Sequence, residues 1–255
     1  DLEYQGGQRA DIVVTVSYAM KDELLSLGFP EEKVRVIWNG IDPKKYSPDR
    51  VKEEDVQKLR EKYGFSPDDY VIFFIGRLVT VKGADRLLMA MPHVLQEFPN
   101  AKLLIVGLGD LQGHLVEMVK RMKLEDKVKL VFKFLPEEER ILHYAACDVA
   151  VFPSLYEPFG IVALEALSME KPVVVGARGT SGLREIVVNS GPEQCGFHVN
   201  PYDPADIAWG IKNLLRDDEL RKKCGKNGRQ RVLKYFTWDK VADNFVSVYQ
   251  EVLGR

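Results

Sequence analysis

The sequence predicts an α/β fold built on a doubly wound parallel sheet. From Tyr70 onward, short apolar runs alternate with segments of helical periodicity, the pattern of strands joined by crossover helices. Most of these runs stop at a glycine or proline (Gly76, Gly107, Pro153, Gly176), as strands do when they leave a sheet. Residues 148–176 hold a complete strand–helix–strand unit, and such units pair their strands in parallel through right-handed crossovers.

The elements follow in order. Ile12-Val13-Val14-Thr15-Val16 reads as a strand, and Ser17 caps a helix that ends near residue 27 at Gly28. Residues 33–37 form the next strand, and Asn39-Gly40-Ile41-Asp42 a turn. A charged amphipathic helix over 51–63 ends at Gly64, and residues 70–75 form a buried strand. The loop 76–83 opens a helix over 84–98, in which Pro92 predicts a kink. Strands over 102–106 and 128–132 flank a helix over 111–122, and a helix over 137–146 follows the loop Lys133-Phe134-Leu135-Pro136. The central unit is a strand over 149–152, a helix over 161–169 and a strand over 173–175. Then come a glycine-rich loop over 176–182, a helix over 183–188, a strand over 196–199 and a helix over 205–215. The helix over 219–235 carries seven basic residues and reads as a solvated face. Thr237-Trp238-Asp239 caps the last helix, 240–253, with Val241, Phe245, Val248, Tyr249 and Val252 on one stripe.

Two glutamates stand in unusual places. Glu157 lies on the loop just ahead of the helix over 161–169, and Glu165 is the one charge inside that helix. A carboxylate among Ile161, Val162 and Met169 needs a polar partner. It is either ion-paired to a nearby Arg or Lys, or it accepts hydrogen bonds from two neighbouring hydroxyls of a bound ligand, with Glu157 accepting from another polyol. Ligands of parallel sheets sit outside the carboxyl ends of the strands, where helix N-termini offer free N–H groups to anions. There the main-chain N–H groups of Phe159 and Gly160 are available, and Gly160 permits close approach. Arg77 and Lys82, between Gly76 and Gly83, are either a solvated basic loop or a clamp for a diphosphate, a bidentate cation beside a point charge. Phe134 either stacks on a ligand or belongs to the core.

The spacing Glu157-x7-Glu165, set in PSLYEPFGIVALEA, resembles the signature of family 4 retaining glycosyltransferases of the GT-B fold. The resemblance extends from Ala10 to Leu253. It implies that the chain is the Rossmann-like C-terminal domain that holds a nucleotide-diphospho-sugar donor, a UDP-, ADP- or GDP-sugar. By that likeness Glu165 binds the ribose hydroxyls, and Glu157 with the Phe159–Gly160 backbone holds the donor sugar. Arg77 and Lys82 match the family's diphosphate-binding pair. Catalysis is then expected of Glu157, Arg77 and Lys82. Donor binding is expected of these three with Gly76, Phe134, Leu135, Phe159, Gly160, Ile161, Val162 and Glu165. The "NGID" element lies at the family's hinge, which divides the chain into 1–38, the tail of an N-terminal acceptor domain whose bulk is missing; 39–238, the donor domain; and 239–255, a crossover helix packing on 1–38. The family usually has Gly where Lys133 stands, and the loop at Arg178–Ser181 is a variant. The implied reaction transfers a hexose to an acceptor hydroxyl on a carbohydrate or small molecule, without cofactor or metal. The alternative is a catalytically silent nucleotide-sugar-binding module. A phosphorylase or epimerase of the same fold fits the signature less well.

Composition bounds these readings. The 255 residues and 45% hydrophobic content suit one large domain, or one domain with part of another. A net charge of −2 gives no basic field for nucleic acid or an anionic membrane. No run approaches the roughly 18 apolar residues of a spanning helix. Cys147, Cys195 and Cys224 are odd in number and lack metal-ligand spacing, and the four histidines are scattered. Free thiols fit a reducing cytoplasm.

Overall fold

The structure, a computed structural model, describes residues 2–254. Its first helix, α1 (Leu2–Arg9), was not expected, because Gly6 and Gly7 are poor helix formers. Packing overrides propensity there: a side chain at Gly7 would put its Cβ 2.3 Å from the Phe29 ring. Strands β1 (Val13–Thr15) and β2 (Val34–Val36) pair in parallel through α2 (Tyr18–Ser26), and the Ser17 hydroxyl accepts from Met20 N at 3.0 Å to cap α2. After α3 (Glu53–Lys62) come β3 (Tyr70–Ile75), α4 (Ala84–Leu95), β4 (Ala101–Val106), α5 (Gln112–Arg121), β5 (Val128–Val131) and α6 (Glu137–Ala146). The chain continues as β6 (Val149–Phe152), α7 (Ile161–Ser168), β7 (Val173–Gly176), α8 (Leu183–Ile186), β8 (Gly196–Val199), α9 (Pro204–Arg216), α10 (Asp218–Tyr235) and α11 (Trp238–Leu253).

The six strands β3 to β8 form one parallel sheet in the order β5-β4-β3-β6-β7-β8. The chain first winds outward from β3 through β4 to β5, then returns to the other side of β3 as β6. The order therefore reverses between β3 and β6, and a crevice opens at their carboxyl ends. Helices cover both faces of the sheet, so its inner strands are buried on both sides and read as unbroken apolar runs: Val71 to Phe74, Leu103 to Val106, and all of β6 and β7. Each fully buried Phe or Leu there contributes on the order of 1.5–3 kcal/mol.

The β1–β2 segment is fastened to the large sheet beside this crevice. Glu185 accepts from Ala19 N (2.9 Å) and from Trp38 Nε1 (2.8 Å). Glu23 accepts from the hydroxyls of Thr180 and Tyr156. The strand-like segments 38–42 and 236–238 run side by side, with Ile41 N bonded to Phe236 O at 2.8 Å and the Trp38 and Phe236 rings 5.1 Å apart.

Two expectations about the C-terminal helices are corrected. Helix α10 is not a solvated basic face throughout, because three of its arginines turn inward. Arg229 donates to the carbonyls of Tyr46 (3.0 Å) and Ser168 (2.7 Å), Arg231 to those of Ile186 and Glu185 (both 2.7 Å), and Arg221 lies over the Tyr70 ring. Long basic side chains end loose backbone carbonyls that apolar residues cannot satisfy. Helix α11 meets residues 1–38 through the Arg35–Glu251 ion pair (2.6 Å), but its apolar stripe is not buried. Val241 is covered, whereas Tyr249 is 65% exposed.

Candidate functional site

Loops that leave the sheet at the crevice are pinned to one another by their backbones. Gly83 has φ +74°, and a Cβ there would lie 2.2 Å from Pro153 O, so the loop after β3 touches the loop after β6 without a side chain between them. Leu155 N donates to Val81 O at 2.8 Å and adds a second tie. The loop after β6 is bonded in turn to the loop after β7, by Glu157 N to Thr180 O (3.0 Å) and Gly182 N to Glu157 O (2.8 Å). Gly160 begins α7 with φ +106°, where a Cβ would meet Leu183 Cδ2 at 2.3 Å. Glycine suits this left-handed entry, and the start of α7, Gly160 to Val162, lines the crevice there.

These loops enclose two concavities that share Val162. One, of about 330 Å³, is lined by Gly76, Arg77, Phe134, Leu135, Val162 and Glu165. The other, of about 290 Å³, is lined by Lys82, Glu157, Phe159, Gly160, Ile161 and Val162. All eleven residues named from the sequence therefore line one or the other. Phe134 is 73% exposed, so it is a surface ring over the first concavity and no part of the core. Leu135 and Phe159 turn their side chains inward, and Phe159 packs against Phe236 with ring centroids 6.2 Å apart.

The two glutamates are held differently. Glu157 is buried and pairs with Lys82, Nζ to Oε2 at 2.5 Å, with the Ser154 hydroxyl at 3.4 Å from the same oxygen. Arg77 is exposed and has no side-chain hydrogen bond or ion pair among the described residues. Glu165 is 7% exposed and sits in a polar nest. Tyr46 OH donates to its Oε1 at 2.9 Å and Tyr144 OH to its Oε2 at 2.7 Å, while Arg140 Nη2 lies 3.5 Å from Oε1. Of the two alternatives read from the sequence, the ion pair is present, with Arg140, and two tyrosine hydroxyls of the chain itself join it. Burial raises the Glu165 pKa above the usual carboxylate value, and the hydrogen bond from Tyr144, the charge of Arg140 and the hydrogen bond from Tyr46 pull against that rise. Burial likewise pushes the hydroxyls of Tyr144 and Tyr46 above the ordinary tyrosine value, with the Glu165 charge adding to it, so both remain proton donors.

Sequence reasoning missed Tyr46, Arg140 and Tyr144. The signal for two of them existed: residues four apart on α6 share a face, and Arg140 and Tyr144 are so spaced. Tyr46 lies in irregular chain and carried none. Val16 and Asn39, which reach the second concavity from the β1–β2 side, were missed as well, because nothing local shows that the ends of a strand and a turn far from α7 come to face it. Among the described residues no group of three or more His, Cys, Asp or Glu side chains is placed to hold a metal, and no helix is long and apolar enough to cross a membrane.

Chemically, the crevice offers two cations and a helix N-terminus for an anion, a carboxylate for hydroxyl donors, and apolar walls for a flat ring. Known proteins share this architecture. The chain is 38% identical to an uncharacterized glycosyltransferase of Methanocaldococcus jannaschii, over 100% of this chain and 64% of the relative. It superposes on sucrose-phosphate synthase from Thermosynechococcus elongatus with a TM-score of 0.81 at 30% identity, covering 96% of this chain and 59% of that one. On Anabaena HepE in complex with UDP-glucose the TM-score is 0.83 at 26% identity, covering 95% of this chain and 64% of that one. The chain thus spans about three fifths of the length of these proteins. The family described as Glycosyltransferase Family 4 matches residues 1–45, and the one described as Glycosyl transferases group 1 matches residues 55–231. With most of its length matched, its six-stranded sheet that of a GT-B C-terminal domain, and neighbours in the same class, this chain belongs to the glycosyl transferases group 1 family.

Proposed function

We propose that this chain is the donor-binding part of a retaining hexosyltransferase that uses a nucleoside-diphospho-sugar. The observation that carries the reading is the convergence of Arg77, Lys82, Glu157, Glu165 and the α7 N-terminus on two joined concavities at one switch point. The two concavities, joined at Val162, give the three parts of such a donor separate places. The nucleoside lies in the first concavity, its base against Phe134, Leu135 and Val162 and its ribose hydroxyls on Glu165. The diphosphate lies over the α7 N-terminus between Arg77 and Lys82. The hexose lies in the second concavity, against Glu157 and the main chain of Phe159 and Gly160. A UDP-glucose complex of Anabaena HepE, a neighbour of the same fold, supports a donor of this class.

In the reaction, the bond from the sugar's C1 to the diphosphate oxygen breaks, a bond from C1 to the acceptor oxygen forms on the same face, and the acceptor hydroxyl's proton passes to the departing diphosphate. Negative charge then collects on the departing diphosphate. Arg77, Lys82 and the free N–H groups of α7 stabilise it because they are already in place. Lys82 is paired with Glu157 at 2.5 Å, so a phosphate oxygen competes with that carboxylate for the ammonium. Retention rests on the likeness of the EPFG…E stretch to family 4 enzymes.

Residues 1–38 are then the end of an acceptor-binding domain, 39–238 the donor domain and 239–255 the crossover helix, with a carbohydrate or small hydroxylated acceptor held largely by the remainder of the whole enzyme. The test is a set of binding measurements with UDP, ADP and GDP. Glu165→Ala is expected to weaken the preferred nucleotide, and Arg77→Ala combined with Lys82→Ala to weaken it further. Unchanged affinity in both variants overturns the site.

A further inference from the structure

We propose that Tyr46, Tyr144 and Arg140 are positioning residues that present Glu165 as a fixed, two-pronged acceptor for a vicinal diol. The inference rests on the reading of Glu165 as the ribose-binding group and adds the machinery that makes it one. A carboxylate has about four lone-pair sites. Tyr46 takes one on Oε1 and Tyr144 one on Oε2, from the inner side of the helix. Arg140 Nη2 lies 3.5 Å from Oε1 but donates to Tyr46 OH, so one site on each oxygen is left for the first concavity, which Glu165 lines. Two acceptors on one rigid plane suit two neighbouring hydroxyls.

The direction of the protons is also set. Arg140 Nη2 donates to Tyr46 OH at 2.8 Å, so that hydroxyl must turn its single proton toward Glu165. Tyr144 OH lies 2.7 Å from Glu165 Oε2 and 3.3 Å from Val162 O, and its proton goes to the nearer, charged acceptor. Arg140 Nη1 reaches Leu135 O at 3.3 Å, which ties the same guanidinium to the loop that walls the concavity.

Tyr46 is placed with equal care. Its carbonyl accepts from Ser168 Oγ at 2.6 Å and from Arg229 Nη1 at 3.0 Å, while its hydroxyl reaches Glu165. Ser168 lies one turn beyond Glu165 on α7, so Tyr46 is bonded to that helix at two points. Its ring therefore cannot drift relative to the carboxylate it holds. Arg229 also donates to Pro43 O and Ser47 Oγ, both at 3.3 Å, which fixes the chain on either side of Tyr46.

The test is calorimetric titration of the 255-residue chain with UDP, ADP and GDP and with the 2′-deoxy form of each. The wild-type chain is expected to prefer the ribonucleotide by about tenfold or more, the loss of one hydrogen bond to a charged group. In Tyr46→Phe and in Tyr144→Phe that preference is expected to fall to about threefold or less, with the ribonucleotide losing affinity and the deoxynucleotide nearly unchanged. Arg140→Gln is expected to act in the same direction. Arg77→Ala should weaken both forms alike and leave the preference intact, which separates a lost orientation from a general loss of binding. Should one variant fail to fold, as judged by near-ultraviolet circular dichroism, the other two carry the test. Folded variants that keep the wild-type preference overturn the positioning role and leave the ribose reading standing. A wild-type chain that binds both forms equally, or binds none of the three nucleotides, overturns the ribose reading and the positioning role with it.

Discussion

Removing the ammonium of Lys82 should expose how tightly the two loops of the crevice depend on it. In Lys82→Met, Glu157 keeps only the distant Ser154 hydroxyl at 3.4 Å beside its main-chain ties. Lys82 and Glu157 side chains are 21% and 10% exposed and meet at 2.5 Å. Their pair stands between an exposed one, worth roughly 0.2–1 kcal/mol, and a buried one, whose breakage costs about 3–5 kcal/mol. We expect Lys82→Met to destabilise the chain by about 2 kcal/mol, a fall in Tm of about 4–8 °C at this size. Glu157→Gln should cost less, about 1 kcal/mol, because the freed Lys82 can turn into the open concavity and hydrate. The double variant carries no stranded charge and should be less destabilised than the sum, with a coupling of about 1–2 kcal/mol. Urea unfolding of the four chains, followed by far-ultraviolet circular dichroism, measures each value. Single effects that add to within about 0.3 kcal/mol would mean the pair does not hold the loops.

Other consequences follow from the same geometry. Gly83→Ala should destabilise by at least about 2 kcal/mol, because it adds a side chain at φ +74° against Pro153 O; an unchanged Tm would contradict that contact. Arg229→Met strips donors from Tyr46 O, Ser168 O and Pro43 O and should cost about 3 kcal/mol in urea unfolding, with Arg229→Lys recovering little, since an ammonium cannot span the carbonyls that a guanidinium fork does. Glu165 brings a pH dependence. Its folded pKa lies above the unfolded value, so its contribution to stability is present below the usual carboxylate pKa of about 4.3 and is lost as pH rises through the folded value. Nucleotide binding runs the other way, since a diol needs the ionised acceptor. Tyr144, Arg140, Tyr46 and Glu137 surround this carboxyl, so the comparison is made against Glu165→Gln, which leaves them in place. Wild-type affinity should fall on acidification relative to that variant, and parallel profiles would show that Glu165 does not titrate with binding.

Much of this fold was legible in the sequence because buried parallel strands leave a plain signal. β3, β4, β6 and β7 are nearly unbroken apolar runs, each stopped at the crevice by Gly or Pro, and every strand of the large sheet lies within a residue or so of its expected place. The crevice residues were legible for a related reason. Glu165 is a charge where the helix is otherwise apolar, and Arg77 and Lys82 sit between Gly76, which ends β3, and Gly83, whose left-handed conformation the loop requires. What the sequence hid were contacts made across long separations. Tyr46 meets Glu165 from a stretch without periodicity, and nothing local marks it. Arg229 and Arg231 look like any other basic residues of α10, and only the carbonyls opposite them, of Pro43, Tyr46, Ser168, Glu185 and Ile186, explain their inward turn. The stripe of α11 reads as a buried face, yet Tyr249 and its neighbours remain open, because amphipathicity shows that a face is apolar and not what covers it.

The most direct test of the central claim is calorimetric titration of the wild-type chain with UDP, ADP and GDP and with their glucose or mannose conjugates. Saturable binding of one nucleotide family at one site per chain is expected, abolished or strongly weakened when Arg77 and Lys82 are both replaced by Ala. Saturable binding that survives those replacements, or no binding of any of these ligands, would contradict it.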